Sequence, residues 1–412
     1  MQLVIVEDTG YRNLLPLTAT RPVFDLICGS LSLGDRIKRY LSQKKSNYII
    51  RDELRNIFLE HNPGVMVNEQ VDGDTLYVNG RVIWNDELAK TIKQTIRSQK
   101  KYTLFQSGDE WVAVYTDEPV SLSNEVFKAH PIQLPDGYIE KDVNARVAAY
   151  PWDIIDANGD CIKEDFNYRS KRIRKKIQGK VHSGAVLTRK RDIIIGKGTV
   201  VNPYVVVNAS KGPVMIGDNV TIEPHAYLKG PLWVNTKSVV KAGARIYGGS
   251  SIGYNCRAAG EISSTIMHSY SNKAHEGFLG HSYIGQWINI GADTNNSNLK
   301  NDYGLIRVMI NGTPVETGKQ FFGMVMGDHS RTGINTMINT GTIIGVACNI
   351  FGANFPPKYL PDFSWGGADF VRRYQFDKFL QNARAMTARR GVSLSDSEIT
   401  LLRKIYESRK SE

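Results

Sequence analysis

The sequence has 412 residues, of which 41% are hydrophobic and 23% are charged, and its formal net charge is +11. This length and composition are ordinary for a folded protein with two or three domains and an ample core. No run approaches about 18 apolar residues, which excludes a membrane-spanning helix, and the opening MQLVIVEDTG predicts a first strand and not a signal peptide. The four cysteines share no CxxC spacing, so we expect unpaired thiols and a reduced, cytoplasmic compartment.

Residues 1–165 alternate short apolar runs with segments of helical spacing. The runs LVIVED, NYII and TLYVNGRVI predict strands, and the pair YTLFQ and WVAVYT, separated by SGDE, predicts a hairpin. The segments DELRNIFLEH and DELAKTIKQTIRSQ predict helices, the second with Asn85 as its N-cap. This alternation predicts an α/β domain.

Residues 166–190 are interpreted as a basic connector. Ten Lys and Arg residues lie between Arg169 and Arg191, including the run KRIRKK. A nucleic-acid site would use such a run for phosphates, but it has no stacking aromatics after Tyr168 and no known nucleic-acid motif. We therefore interpret the run as a solvated face and expect no nucleic-acid partner. General basicity also suits anionic small ligands such as nucleotides or coenzyme A.

Residues 191–357 carry an aliphatic side chain at every sixth position over long stretches. The positions form four runs: Ile195, Val201 and Val207; Ile216, Ile222, Leu228, Val234, Val240, Ile246 and Ile252; Ile284 and Ile290; and Met326, Thr332, Ile338, Ile344 and Ile350. Neither helical nor strand periodicity explains a repeat of six. A parallel β-helix of hexapeptide repeats does, because three hexapeptides make one triangular turn.

Two segments interrupt or follow this repeat. The stretch between Asn295 and Phe322 is polar and irregular, which predicts a loop that leaves the β-helix and serves a site. Residues 358–412 are predicted as a helical segment, with helices over 374–390 and 396–409 and a capping box that begins at Ser395. We expect these helices to cap the open end of the β-helix.

The stretch NKAHEGFLGHSYIGQWINIGADTNNSN, from Asn272 to Asn298, resembles the acetyltransferase motif of the bifunctional N-acetylglucosamine-1-phosphate uridyltransferase/glucosamine-1-phosphate acetyltransferase family. The segments EDTGYRNLLPLTATRPVFDLICG, TLYVNGRVI and YPWDII are similar to divergent short bacterial versions of these enzymes. The resemblance implies an N-terminal nucleotidyltransferase-like α/β domain and a left-handed β-helix acyltransferase domain. It also implies a homotrimer that binds acetyl-CoA between neighbouring β-helices.

The resemblance implies that His275 is the general base, which takes a proton from the amino group of glucosamine 1-phosphate as that group attacks acetyl-CoA. An unperturbed imidazole has a pKa of about 6.5 and is largely a base near neutral pH. The alternative is a surface histidine at a corner of the β-helix. His268 and His281 lack this sequence context and are interpreted as such structural residues.

The same correspondence with the family motif implies further site residues. Arg245 falls on a phosphate-binding arginine of the family. This assignment is chemically sensible, because a guanidinium suits a phosphate dianion. Asn289 and Asn298 fall on positions that hold the sugar or the catalytic histidine. Lys273 is assigned to substrate binding, although it is shifted by one place from the family lysine.

The coenzyme site is assigned to Ala292 and Asp328, which fall on family positions near acetyl-CoA, and to His329, which follows them in the same region. For these residues the alternative is a corner position, since β-helix corners favour Asn, Asp and Gly for backbone reasons alone. The sequence departs from the family at Phe278, where a tyrosine is usual, and at Ser263, where a lysine is usual. These departures affect the identity of the sugar more than the type of reaction.

The N-terminal segment departs further from the family. The family's Gly-rich triphosphate loop is replaced by EDTGYRNLLPLTATRP, in which Arg21 belongs to the only echo of that loop. The usual metal-binding Asp is replaced by the tripeptide NGR at 79–81. Arg21 is assigned to phosphate, and Asp8 and Asp25 are assigned to Mg²⁺. The alternative is a nucleotidyltransferase-like domain that has lost or changed its catalysis.

The predicted function is therefore acetyl transfer to glucosamine 1-phosphate or a related amino sugar, with uridylyl transfer to the sugar 1-phosphate. The expected partners are sugar phosphates, a nucleotide and acetyl-CoA, without a membrane. One alternative is a sugar-1-phosphate nucleotidyltransferase whose β-helix only trimerises the enzyme. Another is a non-catalytic β-helix scaffold.

Overall fold

The structure, a computed structural model, describes residues 1–71, 73–99, 101–116, 122, 124–129 and 131–409. It divides into two units. The first comprises Met1–Leu14, Thr20–Ile27 and Leu31–Asp153, and the second comprises Leu15–Ala19, Cys28–Ser30 and Ile154–Glu412. Among the described residues, no helix has the length and apolar content that crossing a bilayer requires.

The first unit is built on a six-stranded sheet. In sheet order its strands are Asn47–Ile49, Gln2–Val6, Thr75–Asn79, Glu110–Thr116, Thr103–Ser107 and Ile139–Asp142. The first three strands are parallel, and the predicted hairpin pairs Thr103–Ser107 with Glu110–Thr116. Every residue of Thr75–Asn79 is buried, as expected for a strand that is covered on both faces. The predicted α/β domain is confirmed.

The helices of the described residues agree in part with the predicted ones. They are Leu33–Leu41, Arg55–His61, Asp86–Gln99, Pro151–Ser170, Phe376–Ala388 and Asp396–Ser408, and short strands lie at Ile27–Cys28, Leu31–Ser32, Val82–Ile83 and Arg146–Val147. The predicted N-cap is present, because Asn85 Oδ1 accepts a hydrogen bond from Leu88 N at 2.8 Å. The capping box of Ser395 and Glu398 is also present.

The second unit contains a parallel β-helix with three faces. Face 1 consists of Lys180–Val181, Val200–Val201, Thr221–Ile222, Val239–Val240, Arg257–Ala258, Asn272–Lys273, Asn289–Ile290, Arg331–Thr332, Asn349–Ile350, Ser364–Gly366 and, antiparallel, Val371–Arg373. Face 2 consists of Val186–Thr188, Val206–Asn208, Tyr227–Lys229, Arg245–Ile246, Glu261–Ser263 and Phe278–Gly280, and continues with Asn295–Asn296 and Met337–Ile338. Face 3 consists of Ile193–Ile195, Val214–Ile216, Leu232–Val234, Ser250–Ile252, Ile266–Met267, Tyr283–Ile284, Met324–Met326, Thr342–Ile344 and Tyr359–Leu360.

All of the predicted six-residue positions are buried in the core of this β-helix. Equivalent positions of successive coils are partners across a face, as in Ile216↔Val234 and Ile222↔Val240, which are eighteen residues apart. Each aliphatic side chain thus stacks on its equivalent, and the hexapeptide β-helix is confirmed. The first coil already includes Lys180–Val181, which lies within the predicted connector 166–190.

Some coils depart from the repeat. Ala258 pairs with Lys273, fifteen residues on, and Lys273 pairs with Ile290, seventeen residues on, so these two coils are shorter than eighteen residues.

The predicted loop 295–322 is wrong at its start, because Asn295–Asn296 still pairs with Met337–Ile338 as a β-helix strand. The rest of the insertion contains a hairpin of Arg307–Ile310 and Thr313–Glu316.

The segment from the helix Phe376–Ala388 to Arg390 lies along the outside of the β-helix, whereas Arg409, after the last helix, donates to the carbonyl oxygens of Asp362 and Phe363 in the final coil. That these helices cap the open end stays a prediction. Arg331, on face 1, donates to the carbonyl oxygen of Asn382 at 3.1 Å. Arg390 donates to the side-chain oxygens of Asn272 at 2.7 Å and Asn255 at 3.2 Å. These hydrogen bonds link the C-terminal segment to several coils, since Asn255, Asn272 and Arg331 belong to different coils.

Candidate functional site

The segment that resembles the acetyltransferase motif passes round the corner between face 1 and face 2. The strand Asn272–Lys273 is followed by the turn 274–277 and then by the strand Phe278–Gly280. His275 lies in this turn, and its side chain is exposed. The imidazole is therefore accessible to a substrate but is not enclosed by the chain that carries it.

Lys273 was predicted to bind substrate, but its side chain points into the β-helix, where it is 1% exposed. It occupies the inward position that Ala258 and Ile290 hold in the adjacent coils. Its ammonium donates to the carbonyl oxygens of His275 at 2.8 Å and Glu276 at 3.0 Å. Burial lowers the pKa of Lys273 to about 8. Lys273 thus fixes the backbone of the turn that carries His275 and is turned away from any substrate outside the coil.

Arg245 lies on face 2, in the same column as Glu261 and Phe278. Its guanidinium is 3.3 Å from the carboxylate of Glu276, the residue that follows His275, and 3.9 Å from that of Glu261. The side chains of Arg245, Glu261 and Glu276 are 44%, 39% and 58% exposed. Ion pairs this exposed are weak, so a phosphate can displace either carboxylate from Arg245.

The other predicted sugar-binding residues do not all meet His275. Asn289 is exposed on face 1, on the strand that leads into the corner of the next coil, and Ala292 lies in that corner. Asn298 contacts a different histidine, since its Nδ2 lies 2.8 Å from Nδ1 of His281. The ring of His281 stacks on Phe321 with 5.3 Å between centroids.

His281, which the sequence analysis interpreted as structural, has both polar and charged neighbours. Burial lowers the pKa of His281, and the carboxylate of Asp156 acts in the opposite direction. Asp156 also pairs with Lys319, which belongs to the inserted segment. The motif spacing could not assign a partner to His281, because Asp156 and Lys319 are far from it in sequence.

Asp328, predicted near the coenzyme, has a role that recurs along the β-helix. Its Oδ1 accepts from Gln286 N at 2.7 Å, as Asp218 accepts from Lys197 N at 2.7 Å. The same bond in two distant coils indicates that this Asp holds the turn of the preceding coil.

His329, the other predicted coenzyme residue with a polar side chain, sits at a corner and is 7% exposed, with a φ of 60°. Its ring stacks over Trp287, with 6.4 Å between centroids, and meets the edge of Phe379 at 5.9 Å. These contacts favour the corner role for His329 that the sequence left open.

A cleft of about 630 Å³ lies in the first unit, at the carboxyl ends of the parallel strands Gln2–Val6 and Asn47–Ile49. Ligands of α/β sheets bind at this edge. Its lining residues include Glu7, Asp8, Thr9, Tyr11, Arg12, Arg51, Asp52, Glu53, Asn68 and Lys128. Burial raises the pKa of Glu7 to about 7, although Arg51, whose Nη1 donates to Glu7 at 2.7 Å, opposes this.

The residues predicted to hold Mg²⁺ do not fit a divalent ion. Asp8 lines the cleft, but both of its oxygens accept hydrogen bonds from Arg81, at 2.7 and 2.6 Å. Burial raises the pKa of Asp25 to about 7, and the nearby Arg21 lowers it. Neither Asp25 nor Arg21 is among the described residues that line the cleft. Across the part of the chain that the structure describes, no cluster of three or more His, Cys, Asp or Glu residues could hold a metal ion.

The fold and the two sites define a two-domain chain of the class that joins a nucleotidyltransferase-like α/β sheet to a left-handed hexapeptide β-helix. Residues 3–173 match the family model described as sugar nucleotidyl transferase. The chain is similar to the bifunctional protein GlmU of Methanococcus vannielii, with 30% identity over 207 residues that cover 50% of this chain and 42% of that one. The GlmU of Methanococcus aeolicus is 23% identical over 407 residues, which cover 84% of this chain and 92% of that one. These matches confirm the resemblance to the bifunctional family.

The extent of these similarities is uneven. The chain spans 23% and 42% of the lengths of two of the curated relatives that it matches. Among solved structures, it is similar to AntD, an N-acyltransferase from Bacillus cereus in complex with dTDP and coenzyme A. That match has 14% identity, covers 52% of this chain and 93% of that one, and has a TM-score of 0.17.

Proposed function

We propose that the β-helix transfers an acetyl group from acetyl-CoA to the amino group of glucosamine 1-phosphate or a related amino sugar. The observation that supports this most is the exposed imidazole of His275, on a turn whose carbonyl oxygens are held by Lys273. Arg245 lies beside this turn and offers a guanidinium for the sugar phosphate. A β-helix hosts many activities, so the proposal rests on the site and not on the fold.

In the proposed step, the amine nitrogen attacks the thioester carbonyl carbon while His275 takes the proton that the nitrogen loses. The carbon–sulfur bond then breaks and the thiolate leaves and takes up a proton, which gives free coenzyme A and the N-acetylated sugar phosphate. Arg245 would hold the phosphate in place of Glu261 and Glu276.

Base, amine and thioester must meet within about 3–3.5 Å, and an exposed corner of one chain does not enclose them. Apolar side chains are exposed near the same corner, with Ile334 at 72% and Met337 at 40%. Their exposure supports an oligomer in which a second copy completes the site. We propose a homotrimer, as the family resemblance implies, with acetyl-CoA at the seam between copies.

The test measures thiol release from acetyl-CoA with glucosamine 1-phosphate as acceptor, in the wild type and in His275→Ala. We expect a loss of about 10²–10⁴-fold, which is the usual worth of a general base. His225→Ala is the matched control, since His225 is exposed at the same corner of an earlier coil. Near-normal transfer by an assembled His275→Ala protein would contradict the assignment.

A second activity, nucleotidyl transfer to a sugar 1-phosphate, is proposed for the first unit. The match of residues 3–173 to the sugar nucleotidyl transferase family and the cleft at the strand ends support it. The test incubates the protein with N-acetylglucosamine 1-phosphate and UTP, and identifies UDP-sugar and pyrophosphate by mass spectrometry. This product, without any acetyl transfer, would favour the alternative of a purely structural β-helix.

A further inference from the structure

Arg81 lies just after the central strand Thr75–Asn79 and is 2% exposed. Its Nε and Nη2 donate to the two oxygens of Asp8 at 2.7 and 2.6 Å. Its Nη2 and Nη1 also donate to the two oxygens of Glu110, at 2.6 and 3.2 Å. One guanidinium therefore bridges two carboxylates in the planar, bidentate geometry that Arg favours.

The carboxylate of Asp8 has no lone pair left for a metal ion. An ionised carboxylate offers about four lone-pair positions. Besides the two bonds from Arg81, Asp8 accepts from Gly10 N at 3.1 Å, from Asn79 Nδ2 at 3.0 Å and from Trp111 Nε1 at 3.0 Å. These donors come from the 3-10 helix Thr9–Leu14 and two neighbouring strands, so they hold Asp8 from several directions.

The loop after the first strand is also shaped around the guanidinium. A Cβ on Gly10 would lie 2.4 Å from Arg81 Cζ, which is closer than atoms can approach. The close packing shows that Arg81 is part of the fold of this edge and is not a surface side chain that happens to reach Asp8.

We infer that Arg81, buried behind the N-terminal cleft, is the resident cation of Asp8, which lines this cleft, and that ligands bind there without a metal ion on Asp8. Arg81 takes the place of a divalent ion between Asp8 and Glu110, with a charge that no chelator removes. The hydrogen bonds that saturate Asp8 exclude a metal ion from it whatever ligand the cleft takes, whereas metal-free ligand binding rests on the proposed nucleotide-binding function of this cleft.

The first experiment concerns the metal and uses the full chain without nucleotide. Mn²⁺ binding is measured by electron paramagnetic resonance for the wild type and for Asp8→Asn. We expect both proteins to bind Mn²⁺ equally weakly. A stoichiometric Mn²⁺ site in the wild type that is lost in Asp8→Asn would overturn the inference.

Removal of Arg81 gives the converse result. Arg81→Ala leaves Asp8 and Glu110 without their cation, so this variant should bind Mn²⁺ at least about tenfold more tightly than the wild type. The double variant Asp8→Asn/Arg81→Ala is the matched control and should lose that gain. If Arg81→Ala does not fold, the comparison of the wild type with Asp8→Asn still decides the question.

The second experiment concerns the ligand. UTP binding to the wild type is measured by calorimetry in EDTA and in excess Mg²⁺, and we expect affinities within about threefold of each other. Binding that disappears in EDTA would overturn the metal-free statement. If UTP binds under neither condition, the proposed nucleotide site fails, whereas the Mn²⁺ measurement still decides the role of Arg81.

Discussion

Each unit of the chain buries a basic side chain at a position where another residue type was expected. Arg81 follows the central strand of the first unit, and Lys273 occupies an inward position of the β-helix that its neighbours fill with Ala258 and Ile290. The two residues are 2% and 1% exposed. They differ in their partners, because Arg81 is matched by two carboxylates and Lys273 by two carbonyl oxygens.

This difference decides how each cation behaves. Burial alone would lower the pKa of Arg81, but the hydrogen bonds and charges of Asp8 and Glu110 raise it overall. Burial lowers the pKa of Lys273 to about 8, and the more distant Glu276 and Asp293 oppose this only in part. A buried cation with carboxylate partners is thus a permanent charge, whereas one with carbonyl partners can lose its proton near physiological pH.

The largest effect on the free energy of unfolding is expected when Arg81, which compensates the charges of Asp8 and Glu110, is replaced by a neutral residue. Arg81→Met should lower the free energy of unfolding of the first unit by about 3–5 kcal/mol, because Asp8 becomes a buried charge that only neutral donors hold, without a compensating cation. Urea unfolding followed by tryptophan fluorescence measures this, since Trp111 donates to Asp8. The double variant Asp8→Asn/Arg81→Met should recover much of the loss. A single variant that loses less than about 1 kcal/mol would show that the pair is not compensated as described.

The second prediction uses the opposite behaviour of Lys273. Its folded pKa of about 8 lies below the value of about 10.4 expected in the unfolded chain. Between these values the unfolded chain binds more protons, so the free energy of unfolding should rise with pH in this window. The penalty is complete below about pH 8, and its relief by about pH 10.4 is on the order of 3 kcal/mol.

Unfolding of the wild type and of Lys273→Met should be compared from pH 7 to pH 10. The two proteins share every other titrating group, so only the difference between their slopes reports on Lys273. An equal rise in both proteins would mean that folding does not lower the pKa of Lys273. Arg81 should contribute no slope in this range.

The third prediction tests how closely the first unit is built around its cation. Gly10→Ala places a Cβ against the guanidinium of Arg81 and should cost about 1–3 kcal/mol, the usual effect of overpacking. Urea unfolding of the first unit measures the loss. In the Arg81→Met background the same change should cost clearly less, because the clashing atoms are gone. Equal losses in both backgrounds would place the strain elsewhere in the loop.

The repeat of the β-helix could be predicted because its core has a fixed spacing. Ile222 and Val240 are partners because both lie on one face of coils of equal length. The coils between Ala258 and Ile290 could not be predicted, because a corner can lose residues without leaving the core. The hairpin at 307–316 was missed although Asn311 and Gly312 form the typical two-residue turn.

The sites could be predicted less well, because a side chain's partners come from distant parts of the chain. The sequence identified Asp8 as a carboxylate at a strand end, but not that Arg81, Glu110 and Trp111 surround it. Lys273 was assigned to substrate because it lies one place from the family lysine near the histidine. Its position on the inward side became clear only from the register of the strands.

The smallest effect is expected on the rate of the proposed acetyl transfer, when the turn that carries His275 loses its contacts with Lys273. Lys273→Met keeps the length of the side chain but removes the two hydrogen bonds to the carbonyl oxygens of His275 and Glu276. The turn then holds His275 less firmly, so kcat should fall by about tenfold while KM for the sugar phosphate changes little.

The control for this variant is Lys241→Met. Lys241 pairs with Glu223 in a half-buried ion pair at the same corner two coils earlier and makes no bond to the turn of His275, so its loss should leave kcat unchanged. A merely structural role of Lys273 would reduce the amount of folded protein but not kcat per folded chain. Because the buried ammonium donates only to the backbone, an unchanged kcat in folded Lys273→Met would mean that the turn keeps its geometry without it. In that case the two buried cations would differ in their importance for a site as well as in their titration.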